Sequence, residues 1–269
     1  MMFGCLITLG VIGFLVQTAI KDNGKIKLSD SIQKIAINYL QVIAFAQGFP
    51  LEWPQFLNDM FELQGAISTV GEHLLSPDCL STHESAAELF YSQQIMFAML
   101  PIVVVAMSFV FWSVQGCRTG VSFFAKRIKE TDTTLKDKFI LTISTIMYLL
   151  FPTLCKQAFK MFHCERVAGV LYLAADMEEE CYTGKHFQWM FLGIAQVLLY
   201  VVCLPVLVFV FLRRNKHLDD GNGLKKHATN VRYGLFYGAY KESMYYWEIL
   251  LTMRKVLVVA LSVFGPGIG

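Results

Sequence analysis

Long apolar runs alternate here with connections whose charge changes sign, and that pattern limits the fold more than any single motif. Residues 49–93 carry Glu52, Asp59, Glu62, Glu72, Asp78, Glu84 and Glu88 with neither Lys nor Arg, while basic stretches lie beyond the apolar runs on either side. A multispanning membrane protein keeps Lys and Arg in its cytoplasmic loops, so the alternation reads as a record of orientation. The 55% share of hydrophobic residues is too high for an ordinary soluble domain, which makes lipid the expected solvent. A net charge of +2, spread over short connections, argues against a nucleic-acid partner.

The expected fold is all-α, a polytopic transmembrane helical bundle with about six spans near residues 2–20, 31–51, 91–115, 139–159, 189–212 and 245–268. For the first run a signal peptide is the rival, although no basic segment precedes it. Lys21, Lys25, Lys27 and Lys34 mark a cytoplasmic turn, and Arg118, Lys126, Arg127, Lys129, Lys136 and Lys138 mark another. Residues 213–244, with Arg213, Arg214, Lys216, Lys225, Lys226, Arg232 and Lys241, form the third basic connection. Residues 49–93 and the segment holding Asp176, Glu178, Glu179 and Glu180 fall outside the cell. Within the first of these, Trp53, Phe56, Leu57, Met60 and Phe61 recur at helical spacing after Pro54, the pattern of an amphipathic helix lying on the membrane surface. Because Met1 opens onto a span and Gly269 closes one, a fragment of a longer polypeptide is expected.

Polar residues inside apolar runs are the candidates for function, since ionisable groups cost about 2.5–3.5 kcal/mol each to insert. Lys34, Asn38 and Gln41 fall near one face of the second run, which turns that face toward other helices. Glu248 and Lys255, about two helical turns apart, share a face of the last run, with Arg254 beside them. Two readings stand: an intramembrane charge pair that gates or positions helices, or a helix beginning at the interface, with Trp247 in an aromatic belt and the basic pair snorkelling. Pro101, Pro152 and Pro205 sit inside three runs, as kinks or as hinges at a binding site.

Cysteines show no CxxC and no metal-ligand spacing. Cys164 and Cys181 fall on the outer side, where disulfides persist, and are the first choice for a bond, with Cys79 as rival partner. Cys5, Cys155 and Cys203 read as small packing residues within spans, and Cys117 beside Arg118 as a palmitoylation candidate. The acidic run Asp176 to Glu180 reads as a solvated loop, with cation attraction as the alternative. Histidines 73, 83, 163, 186, 217 and 227 lie outside the clearest spans, which argues against a haem held between helices. Without GxSxG, HExxH or a phosphate-binding glycine loop, no enzyme and no cofactor is expected.

From about Lys34 onward the chain resembles the transmembrane region of TRP-like surface proteins of protists and algae. The residues that carry the resemblance are Lys34 to Val42 leading to Trp53-Pro54, then Pro77-Asp78-Cys79-Leu80, Phe151-Pro152, and Phe162-His163-Cys164. Tyr172-Leu173 with Asp176, Cys181, Leu235 to Lys241, Trp247-Glu248 and Arg254-Lys255 complete it. The resemblance implies EGF-like or ephrin-receptor-like repeats ahead of a polytopic, cation-channel-like domain in the plasma membrane, with further spans following. It transfers no catalytic or ligand residue. The expected partners are the bilayer, with a second copy of the chain and cations as candidates; a non-conducting receptor or anchor for an extracellular repeat region is the alternative function.

Overall fold

The computed structural model describes residues 10, 12–18, 20, 28–46, 54–56, 86–120, 133–215, 223–237, 240, 244 and 246–265. Its helices are α1 (Leu28–Ala46), α2 (Ala86–Thr119), α3 (Leu135–Lys160), α4 (Gly184–Gln196), α5 (Leu204–Asn215), α6 (Gly223–Tyr237) and α7 (Trp247–Phe264). A π-helical segment, Val197–Cys203, joins α4 to α5. The expected interfacial helix after Pro54 lies outside the described residues except at Gln55 and Phe56, and so do Cys5 and Cys79.

By length and apolar composition, three stretches are able to cross a membrane: α2, α3 and the continuous Gly184–Arg214 helix. Helices α1 and α7 are shorter, at 19 and 18 residues; polar residues lower the hydropathy of α1, and α7 carries Glu248, Arg254 and Lys255 within its apolar run. The bundle builds around α3. Leu150 and Leu154 pack beside Leu100 and Val104 of α2, while Phe151 and Cys155 meet Phe45 of α1 and Val259 of α7. At the start of α3, Leu135 and Trp112 enclose Val16 from the N-terminal helical residues. These contacts fix directions: α1 and α7 run parallel to α3, whereas α2 runs antiparallel to it. Gln196 and Tyr200 donate hydrogen bonds to the carbonyls of Gln94 and Ala98, 3.0 and 2.6 Å away, so the Gly184–Arg214 helix runs parallel to α2.

Local sequence explains the helix ends and interruptions. The hydroxyl of Thr134 accepts from the Asp137 amide and the Asp137 carboxylate accepts from the Thr134 amide, a capping box that starts α3. Pro205 has no N–H and its ring would clash with the carbonyl one turn back; the wider π turns ahead of it accommodate both, and the Leu204 amide bonds to Leu199. Pro101 and Pro152 lie within unbroken helices. A Cβ on Gly193 would lie 2.6 Å from Cγ of Met161, so α4 approaches the end of α3 at a distance only glycine permits. Gly193→Ala is therefore expected to destabilise the protein by about 1–3 kcal/mol, whereas Gly234→Ala, which meets nothing within 4 Å, is expected to be neutral or stabilising. Thermal unfolding in detergent, followed by loss of the monodisperse peak, distinguishes the two.

The all-α expectation needs correction between α3 and α4, where a three-stranded antiparallel sheet of order β1-β2-β3 forms. Strand β1 (Cys164–Val167) turns into β2 (Val170–Leu173) through Ala168 and Gly169, with φ of 50° and 91°. Two successive residues at positive φ are what a tight hairpin turn with the right twist requires. The third strand, β3 (Asp176–Glu180), holds the acidic run expected as a solvated loop. Its carboxylates instead serve neighbouring helices. Asp176 accepts from the Ala87 amide at 2.8 Å and Glu179 from the His186 amide at 3.1 Å, so β3 caps both α2 and α4, where helix dipoles favour negative charge. A Cys164–Cys181 disulfide closes the sheet. Beneath it, Met161, Leu173 and Tyr91 form a small core, with Tyr91 stacked on Trp189 at 4.8 Å. His186 is buried there: its Nδ1 accepts from the Tyr182 amide, which leaves Nε2–H to donate to the Met161 carbonyl.

Candidate functional site

The polar face expected on the second run, Lys34, Asn38 and Gln41, is buried against α3 and α7. Spacings of four and three residues place these side chains on one stripe of α1. Gln41 donates to the Leu149 carbonyl at 3.2 Å, and Asn38 accepts from the Tyr148 hydroxyl at 2.8 Å. Lys34 lies 2.6 Å from Oε2 of Glu248, with side-chain exposures of 4% and 2%, and so joins the second helix of the bundle's sequence to its last. Its ammonium also donates to the Phe236 carbonyl at 3.1 Å and sits 4.4 Å above the Tyr240 ring.

Glu248 is the centre of this arrangement. Its Oε2 accepts from the Tyr240 hydroxyl at 3.0 Å as well as from Lys34, whereas Oε1 is buried with no hydrogen-bond partner among the described residues. Burial first, and then the Glu248 carboxylate, raise the Tyr240 phenol above its ordinary value, so that it remains a donor. Lys255 is buried two turns along α7 with its ammonium 4.2 Å from the Tyr148 ring. It does not snorkel. Arg254, grouped with Lys255 by sequence, is exposed. Glu248, Lys255 and Tyr148, together with Pro205, border a cavity of about 70 Å³ between α3, α5 and α7.

A second polar contact ties α6 to the start of α3. Arg232 lies 2.6 Å from Asp137, whose carboxylate is fully buried and also caps α3. Asp137→Ala is expected to cost about 2–3 kcal/mol, below the range for a fully buried pair because Arg232 is 28% exposed. Comparing the unfolding midpoints of the substituted and unaltered proteins in detergent checks this.

Of the cysteines, Cys155 is a buried packing residue as expected, but Cys203 is exposed on the π-helical segment rather than packed, and Cys117 is exposed. Among the described residues no group of three or more His, Cys, Asp or Glu side chains converges to hold a metal ion. Sequence reasoning passed over Tyr148 and Asp137, and took Arg232 only as a charge of a basic connection and Tyr240 only as part of the resemblance. A tyrosine in the middle of an apolar run was a signal, because a buried phenol needs a partner.

The chain is 20% identical over 290 aligned residues to cysteine repeat modular protein A of Toxoplasma gondii. That alignment takes in 85% of this chain but only 9% of the relative, so the chain spans a small part of the curated protein it matches. No family model and no solved structure matches.

Proposed function

We propose that this chain is a TRP-like, channel-type multi-pass domain of the plasma membrane that senses an extracellular input and passes cations, with no enzymatic step. Six crossings follow, formed by the N-terminal helical residues, α1, α2, α3, the Gly184–Arg214 helix and α7. Adjacent crossings then run in opposite directions, as the parallel set of α1, α3 and α7 requires. The sheet with its disulfide stands outside, where such a bond persists, and Arg213, Arg214 and Arg232 stand inside.

The observation that carries this reading is the enclosed Lys34–Glu248–Tyr240–Lys255 cluster, because ionisable side chains within a membrane bundle are expensive and mark function by default. The apolar faces of α2 and of the Gly184–Arg214 helix, little buried within one copy, suit contact with lipid or with further copies around a conducting path. Voltage clamp of cells expressing the full protein tests it: a cation current is expected, and Glu248→Gln is expected to remove it while part of the surface population remains. Absence of current from protein present at the surface would overturn conduction. A non-conducting anchor for a cysteine-repeat ectodomain is the second reading, favoured by the burial of Lys34 and Glu248 against each other; equal loss of surface abundance and current in Glu248→Gln would support it.

A further inference from the structure

The geometry points to a binding slot for a hydroxyl-headed, single-chain lipid, such as a long-chain alcohol or a monoacylglycerol, between α5 and α7. The inference rests on the membrane placement in the reading above and not on ion passage. The cavity of about 70 Å³ is walled by Leu204, Pro205, Val208 and Phe236, with Glu248 and Lys255 also in its lining. That volume is several times the minimum of about 10–15 Å³ for one water, room for a head group and the first carbons of a chain. Beyond the lining residues, Leu207 of α5 and Leu250 of α7 are 63% and 51% exposed, so both helices also carry apolar surface outside the cavity.

The head group is selected by charge and hydrogen-bond capacity. Glu248 Oε1 is buried and has no donor among the described residues, while Lys255 brings an ammonium whose described contact is the Tyr148 ring. A hydroxyl both donates, to Oε1, and accepts, from the ammonium. A carboxylate head would face Oε1 with no proton to give. An ammonium head would add a third buried cation to Lys34 and Lys255 and could accept from neither.

Photolabelling of the full protein in membranes tests the slot, using a diazirine-bearing long-chain alcohol beside the acid and the amine of identical chain. The alcohol is expected to label the walls within residues 204–208 and 249–252 more strongly than either. Val208→Trp, which fills the slot, is expected to abolish that labelling, and Lys255→Met, which removes one hydrogen bond while leaving the Lys34–Glu248 pair neutral, to lower it about fivefold. Labelling by the acid or the amine equal to that by the alcohol, or indifference to both substitutions, would overturn the inference. So would labelling confined to the outward faces of Leu207 and Leu250, which would mean that water alone fills the cavity and would leave the membrane reading standing. No labelling of any helix by any probe would overturn both.

Discussion

Glu248→Leu is expected to be among the most damaging single substitutions in the protein, costing about 3–5 kcal/mol. The cost arises less from the lost attraction than from what is left behind. Lys34 would keep its ammonium in a site 4% exposed, with a backbone carbonyl and a tyrosine ring for company and no other anion paired with it among the described residues. The Tyr240 hydroxyl would lose its acceptor at the same time. Removing both charges is a different matter, since apolar side chains of similar volume often replace a buried ion pair at no net cost. Lys34→Met combined with Glu248→Leu is therefore expected to recover most of the stability lost in Glu248→Leu alone. Detergent-solubilised thermal unfolding of the two single variants and the double variant measures the coupling. Additive losses would mean that the two residues do not act on each other, and the polar cluster would cease to be a unit. Recovery of stability without recovery of activity would place the pair in the working mechanism rather than in packing.

The sequence carried the long apolar helices far better than it carried their ends or the cap. Alternating charge and run length located the helices around residues 91–115, 139–159 and 189–212, and the described helices extend them to Ala86–Thr119, Leu135–Lys160 and Gly184–Arg214. The ends were missed because the hydrophobic criterion stops where lipid would stop, whereas α2 continues until Asp176 caps it and α3 begins at a capping box. The sheet was missed for a related reason. Its strands are short and its third is almost wholly acidic, so no alternation of apolar and polar residues announced it. Pairing of the carboxylates with helix N-termini that are distant in sequence is information that a local pattern does not hold. The polar face of α1 was legible because its spacing is helical, and Glu248 because it interrupts an apolar run. That the two belong together, across 214 positions of chain, was not, and neither was the separation of Lys255 from its neighbour Arg254.

Cys164→Ala combined with Cys181→Ala is expected to produce the second large effect, and to concentrate it at the cap. The bond closes a loop of 17 residues, and a loop of about 15 is worth about 3 kcal/mol through the freedom it removes from the unfolded chain. In the folded protein that loop contains all three strands, so loosening it acts on everything the sheet holds. Asp176 and Glu179 are kept in place to cap α2 and α4, and each cap contributes about 1 kcal/mol on its own. The stacked pair of Tyr91 and Trp189 and the buried Met161 lie directly beneath. Loss of the bond is accordingly expected to open residues 164–182 to protease before the helices unfold, while the Lys34–Glu248 region, at the far side of Phe151 and Cys155, stays protected. Asp176→Ala with the disulfide intact is expected to give a smaller loss of about 1 kcal/mol with no new cleavage. Limited proteolysis with mass mapping, run with and without reductant, separates these outcomes. Identical cleavage in the oxidised and reduced protein would mean that the sheet is held by its helix contacts alone, and the covalent link would then contribute nothing to the stability of the cap.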